Sequence, residues 1–226
     1  MSEPVAPKSG PAKRASRVGA GGVNEHAAHG VALLLIDFVN LLDFDGAELL
    51  RDAAAAASAK ARRLRSDADA LGIPVIYVND NNGQWHAERG EIVERCLRKG
   101  TPGRDIVRRI GPRRRDYFVV KPHLSGFYGT SLPILLPRLG VSRLVLAGLA
   151  TDICVLFTAA DAHMREYGLW VPEDAVASEK PEHGRWALDV MQKSMDAETR
   201  PTSALSLREW ARQGGPEAAS DEARRS

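Results

Sequence analysis

"SRLVLAGLATDICVLFTAADAHMREYGLWVPED", residues 142–174, reads as a strand, a turn, a helix and a second strand. "SRLVLAG" (142–148) is a short continuous apolar run, the signature of a strand covered on both faces. "CVLFTAADAHMREYG" (154–168) has helical composition and a closing glycine, and "LWVPED" (169–174) starts the next strand. A strand-helix-strand unit of this kind predicts a parallel pair joined by a right-handed crossover.

The same alternation runs through the chain. "VALLLID" (31–37), "IPVIYVND" (73–80), "DYFVVK" (116–121) and "AETRP" (197–201) bring the candidate strands to six. "GAELLRDAAAAASAKARRLRSDADALG" between the first two is a helix ending at Gly72, and "SLPILLPRLG" is another ending at Gly140. These elements predict an α/β fold: a three-layer doubly wound sheet of about six mostly parallel strands flanked by helices, Rossmann-like in topology.

The chain has 226 residues, enough for one full-sized core. One domain over residues 31–213 is expected, between disordered tails at 1–30 and 214–226 that are rich in Ala, Gly, Ser and Pro. Lys plus Arg number 31 against 29 for Asp plus Glu, a near balance that argues against a nucleic-acid partner. The basic run "RRIGPRRRD" (108–116) carries no interleaved aromatics and reads as a solvated surface or a subunit contact. Two cysteines make no disulfide framework and no zinc spacing, which points to a reducing, cytoplasmic setting. No apolar stretch is long enough to span a membrane.

Doubly wound sheets bind ligands beyond the carboxyl ends of their strands. Asp37 ends the first apolar run, Lys121 ends the third, and Cys154 follows the fourth at the start of a helix. Singly, each has a plain reading: Asp37 as a helix cap, Lys121 reaching into solvent, Cys154 as packing. Together they are a base, a cation and a thiol at one sheet edge, the components of covalent acyl transfer. A thiol at the first turn of a helix faces unpaired N–H groups and the positive end of the helix dipole, which favours thiolate. Cys96, inside "EIVERCLRKG", lacks that setting and reads as packing.

The strings "LLLIDFVN", "VVKPHLSGFYGTSL" and "LVLAGLATDICVLFTAADA" resemble the isochorismatase-like cysteine hydrolases, in order and spacing, across roughly residues 31–205. The resemblance implies a catalytic triad of Asp37, Lys121 and Cys154. It also implies a cis peptide between Ala150 and Thr151, with the N–H groups of Thr151 and Cys154 forming an oxyanion hole. Members with a cysteine at this place hydrolyse amides, so it implies a C–N amide or carbamoyl bond of a small molecule, cleaved through a thioester. Two alternatives stay open: an isochorismate-type vinyl ether hydrolase using Asp37 as the acid, or a catalytically silent binding module. Members of the family are commonly dimers or tetramers, which implies a homodimer or homotetramer.

The nicotinamidase branch binds a metal through Asp-x-His-x-x-His after the second strand. Here "YVNDNNGQWHAERG" matches only its first position, at Asp80, with Asn82 at the first histidine position and His86 off the spacing. No metal and no cofactor are therefore expected. The substrate-binding candidates are Phe38 and Asn40 after the base, Trp85 on the loop after the second strand, and Phe127 and Tyr128 after Lys121; each aromatic has core or interface packing as its plain reading. His123 and His163 invite a role as bases, but His163 lies mid-helix, nine residues past Cys154, and reads as surface or packing.

Overall fold

A computed structural model describes residues 27–81 and 83–213. The two tails of the sequence reading lie almost wholly outside those residues, and so does Asn82. The described chain runs β1 (Val31–Ile36), α1 (Ala47–Leu71), β2 (Val75–Asp80), α2 (Arg89–Leu97), α3 (Arg104–Ile110), β3 (Tyr117–Lys121) and α4 (Leu132–Arg138). It continues through β4 (Arg143–Leu149), α5 (Leu156–His163), β5 (Gly168–Trp170), β6 (Val176–Ala177), α6 (Pro181–Met195) and α7 (Leu207–Arg212).

The strands form one parallel sheet in the order β3-β2-β1-β4-β5, with β6 also on β4. The chain starts in the middle, winds outward through β2 and β3, then returns to the other side of β1 as β4. That reversal opens a crevice at the carboxyl ends of β1 and β4, the usual ligand position of a doubly wound sheet.

β1 shows why apolar runs without alternation mark these strands. Val31, Leu33 and Leu35 enter one core with α1, α3 and α7, while Ala32, Leu34 and Ile36 enter a second core with α4, α5 and α6. Side chains alternate faces along a strand, so a strand covered on both sides is apolar at every position. Against the first core α1 presents Ala54, Ala57, Ala61 and Ala68, small residues that let the helix lie close to the sheet. Gly72 ends it in the left-handed conformation, donating its N–H to the Ala68 and Asp69 carbonyls.

Three elements differ from the sequence reading. The sixth strand is Val176–Ala177, paired with Gly148–Leu149, whereas residues 197–201 make only an isolated bridge from Glu198 to Trp170. Pro201 offers no N–H, so a ladder cannot extend there, and two paired residues are too few to leave a pattern. The helix after Cys154 ends at His163 and not near Gly168; Glu166 takes a left-handed turn, and Gly168 already belongs to β5. Its opening turn, Thr151–Val155, is a π-turn and not regular α-helix.

Arg108, Arg114 and Arg115 of the basic run are exposed, and part of the run braces the fold. Arg113 pairs with Asp69 and Asp116, Arg115 pairs with Asp69, and Arg109 donates to the Ala55 carbonyl and Ser58. Among the described residues no helix is long and apolar enough to cross a membrane.

β4 approaches β1 closely where the crevice opens. A Cβ on Gly148 would stand 2.3 Å from the Ile36 carbonyl oxygen, a backbone atom that cannot move without breaking the β1–β4 ladder. Gly148→Ala is expected to destabilise the protein by about 3 kcal/mol in urea unfolding, through overpacking against the backbone; an unchanged midpoint would contradict this close approach.

Candidate active site

Asp37 follows β1 directly and turns the chain out of the sheet with a φ of 52°, a left-handed conformation that Asp tolerates better than bulkier residues. Its own N–H still donates to the Val78 carbonyl at 3.0 Å, so strand pairing carries on through the turn. Its Oδ1 accepts the Asp80 N–H at 2.7 Å, and its Oδ2 stands 2.9 Å from Lys121 Nζ.

Lys121 ends β3 and is 0 % exposed. Its ammonium does not reach for solvent. It lies 3.4 Å from Cys154 Sγ and 3.3 Å from Asp80 Oδ2, and donates to the His123 carbonyl at 3.1 Å. Asp37, Lys121 and Cys154, 84 and 33 residues apart in the chain, meet at one nitrogen.

Cys154 is half-buried in the π-turn. The Ala150 carbonyl accepts N–H groups from Ile153 at 3.1 Å and Val155 at 3.2 Å, the two neighbours of Cys154. Below, the Thr158 hydroxyl donates to the Cys154 carbonyl at 2.6 Å and accepts the Gly126 N–H at 3.0 Å, fastening the turn to the loop after Lys121. The cis peptide expected between Ala150 and Thr151 lies one bond earlier, between Leu149 and Ala150.

Burial dominates the electrostatics. The Cys154 thiol is pushed up to about 12, first by burial and then by the Asp37 charge, with Lys121 opposing. The expected favouring of thiolate by the helix start is therefore overridden, and the resting sulfur carries its proton. Asp37 is also raised, by burial, against the pull of Lys121 and of the hydrogen bonds from Cys154, Lys121 and the Asp80 N–H. Burial lowers Lys121, but the Asp37 charge and hydrogen bond, with the Asp80 charge, outweigh it and hold the ammonium protonated. Cys96 is raised to about 11, chiefly by burial, and packs from α2 into the first core.

The proposed pocket residues divide. Phe38 is 1 % and Phe127 3 % exposed; both are core, Phe127 under the Arg165 guanidinium, because each follows a chain turn that points it back into the sheet layers. Asn40 caps its own loop, accepting the Leu42 N–H at 2.8 Å. Tyr128 is exposed, edge-on to His123, beside the carbonyl that holds Lys121. Trp85 is exposed too, but lines a separate groove of about 630 Å³ with His86, Glu91, Glu94 and Arg95. His163 is exposed at the end of α5.

The donor set does not fit the nicotinamidase metal. Asp80 faces Lys121, His86 opens on the Trp85 groove, and among the described residues no three His, Cys, Asp or Glu side chains are grouped so that they could hold a metal ion. Sequence reading treated Asp80 only as a metal remnant. Its register opposite Lys121 on the neighbouring strand was the signal that it belongs beside the ammonium. It also missed Ser178, whose hydroxyl donates to Asp152 at 2.6 Å, while His183 Nδ1 lies 3.5 Å from the other oxygen of that carboxylate. Asp152 thereby ties the π-turn to the start of α6.

Residues 31–202 match the family model described as the Isochorismatase domain. The isochorismatase family protein YaaI of Bacillus subtilis is 38% identical over 167 residues, covering 74% of this chain and 91% of that protein. The ureidoacrylate amidohydrolase RutB of Serratia proteamaculans is 32% identical over 183 residues, covering 69% and 73%. The crystal structure of N-carbamoylsarcosine amidase from Thermoplasma acidophilum superposes with a TM-score of 0.60 at 32% identity, covering 78% of this chain and 98% of that one.

A protonated resting sulfur has a measurable signature. In a Cys96→Ser background, ultraviolet titration is expected to show no thiolate below about pH 10. Asp37→Asn removes a charge that raises the thiol, so its midpoint should move down. A wild-type midpoint at or below that of a free thiol would overturn the assignment.

Proposed function

The chain belongs to the isochorismatase family of hydrolases, and from that premise we propose that it is a thiol-dependent amidohydrolase acting on a C–N bond of a small carboxamide, carbamoyl or ureido compound. The single observation that carries this reading is the convergence of Asp37 at 2.9 Å and Cys154 at 3.4 Å on the buried Lys121 nitrogen. RutB and N-carbamoylsarcosine amidase, whose names describe amide chemistry, support the bond type.

In the proposed cycle Asp37 takes the thiol proton as the sulfur attacks the substrate carbonyl. A base raised by burial is better matched to so weak an acid than an ordinary carboxylate is. The S–C bond forms and the carbonyl electrons move to oxygen, where the N–H groups of Thr151 and Cys154 hold the oxyanion. The Ala150 carbonyl engages the N–H groups of Ile153 and Val155, which supports the Cys154 N–H being available. As the tetrahedral intermediate collapses, Asp37 returns the proton to the departing nitrogen, leaving a thioester. A water then loses a proton to Asp37, attacks the thioester, and releases the acid product and the thiol. Lys121 takes no proton in this scheme; its charge steadies the developing thiolate and orients Asp37.

Cys154→Ala and Asp37→Asn are each expected to lower turnover of small amides and ureido compounds by about a thousandfold or more. Mass spectrometry of an early-quenched reaction should find the acyl group on Cys154. Equal turnover by wild type and Cys154→Ala would remove the nucleophile from this reading. Activity on an isochorismate-type vinyl ether that survives Cys154→Ala but not Asp37→Ala would replace it with acid catalysis.

A further inference from the structure

The site holds a second carboxylate that the cycle above leaves without a task. Asp80 ends β2, directly opposite Lys121 in the β2–β3 register, and parallel strands point registered side chains to the same face. Its Oδ2 stands 3.3 Å from Lys121 Nζ, and its N–H holds Asp37 Oδ1. Its position is thus set by the sheet and not by a loop.

Exposure separates it from its neighbours. The Lys121 side chain is 0 % exposed and that of Asp37 6 %, whereas the Asp80 side chain is 35 % exposed. Asp80 therefore presents an anionic acceptor at the mouth of the site, braced by the same ammonium that touches the sulfur.

Building on the amidohydrolase reading, we infer that Asp80 is a specificity residue, which accepts hydrogen bonds from N–H groups of the substrate beside the reacting carbonyl. The ligand class is then narrower than acyl compounds at large. Primary carboxamides and compounds with an unsubstituted ureido or carbamoyl nitrogen present an N–H; esters and fully substituted amides present none. A buried or half-buried acceptor discriminates strongly, because a ligand without the donor desolvates the carboxylate and returns nothing.

The test uses two electrophiles that differ only in this feature. Iodoacetamide and methyl iodoacetate both form a bond from Cys154 sulfur to the iodinated carbon and expel iodide, the thiol proton passing to Asp37 or buffer; only the amide carries N–H donors. In the full chain with Cys96→Ala, the amide-to-ester rate ratio at Cys154, divided by that of N-acetylcysteine, is expected to exceed one by about tenfold, the worth of a hydrogen bond to a charged acceptor. Asp80→Ala should bring the ratio to about one, and Asp80→Asn, which keeps a neutral acceptor and the side-chain shape, to an intermediate value.

A wild-type ratio of one, or a ratio that survives both substitutions, overturns the assignment. If the substitutions scale both rates together and displace the pH profile of alkylation, Asp80 acts only through Lys121 and is not a specificity residue. If wild type and Cys154→Ala turn over small amides and ureido compounds equally, the amidohydrolase reading fails, and the inference about Asp80 fails with it. Reaction without amide preference sinks the Asp80 inference alone.

Discussion

A fully buried lysine ammonium organises this molecule. Moving such an ion out of water costs several kcal/mol even after relaxation, and only close anions and carbonyls offset it. Lys121 has them: two carboxylates, the His123 carbonyl and the Cys154 sulfur all lie within 3.4 Å. Each comes from a different segment, so the ammonium is satisfied only when β1, β2, β3 and the π-turn after β4 are all in place. Fold and site therefore depend on one another.

The same burial sets the resting chemistry. A thiolate here would put a further negative charge in a low-dielectric pocket beside Asp37, and the raised thiol shows that this outweighs the ammonium. A neutral thiol at rest is cheap to bury and resists oxidation, which follows thiolate character. Ionisation is then coupled to the arrival of a carbonyl that can take up the charge, with a raised carboxylate within reach to receive the proton.

The sulfur is held from below and from the side. Thr158 connects the Cys154 carbonyl to the Gly126 N–H, while Asp152 connects the π-turn to Ser178 and His183. Gly184 gives α6 room to approach, since a Cβ there would stand 3.1 Å from Ser178 Oγ and 3.8 Å from Thr151 Oγ1. Placement at a sub-ångström level, which acyl transfer demands, thus rests on contacts made by α6 and the loop after β3, not on the turn alone.

Five of the six strands, the Ala-rich α1 and the strand-end positions of Asp37, Lys121 and Cys154 were legible from residue order, because a two-faced buried strand leaves a local run of apolar residues and a polar residue closing it is conspicuous. The sixth strand, the π-turn, the early end of α5 and the place of the cis peptide were not, since two-residue pairings and single dihedrals leave no periodic trace. Nor could local pattern separate Phe38 and Phe127, which became core, from Tyr128, which stayed exposed. Sequence by itself determined the layered sheet and the placing of Asp37, Lys121 and Cys154 at or just beyond its strand ends. Tertiary structure alone decided that Lys121 is buried, that the sulfur rests as a thiol, and that Asp80 joins the cluster, because desolvation and charge depend on the sum of neighbours brought from distant segments and not on any one stretch of chain.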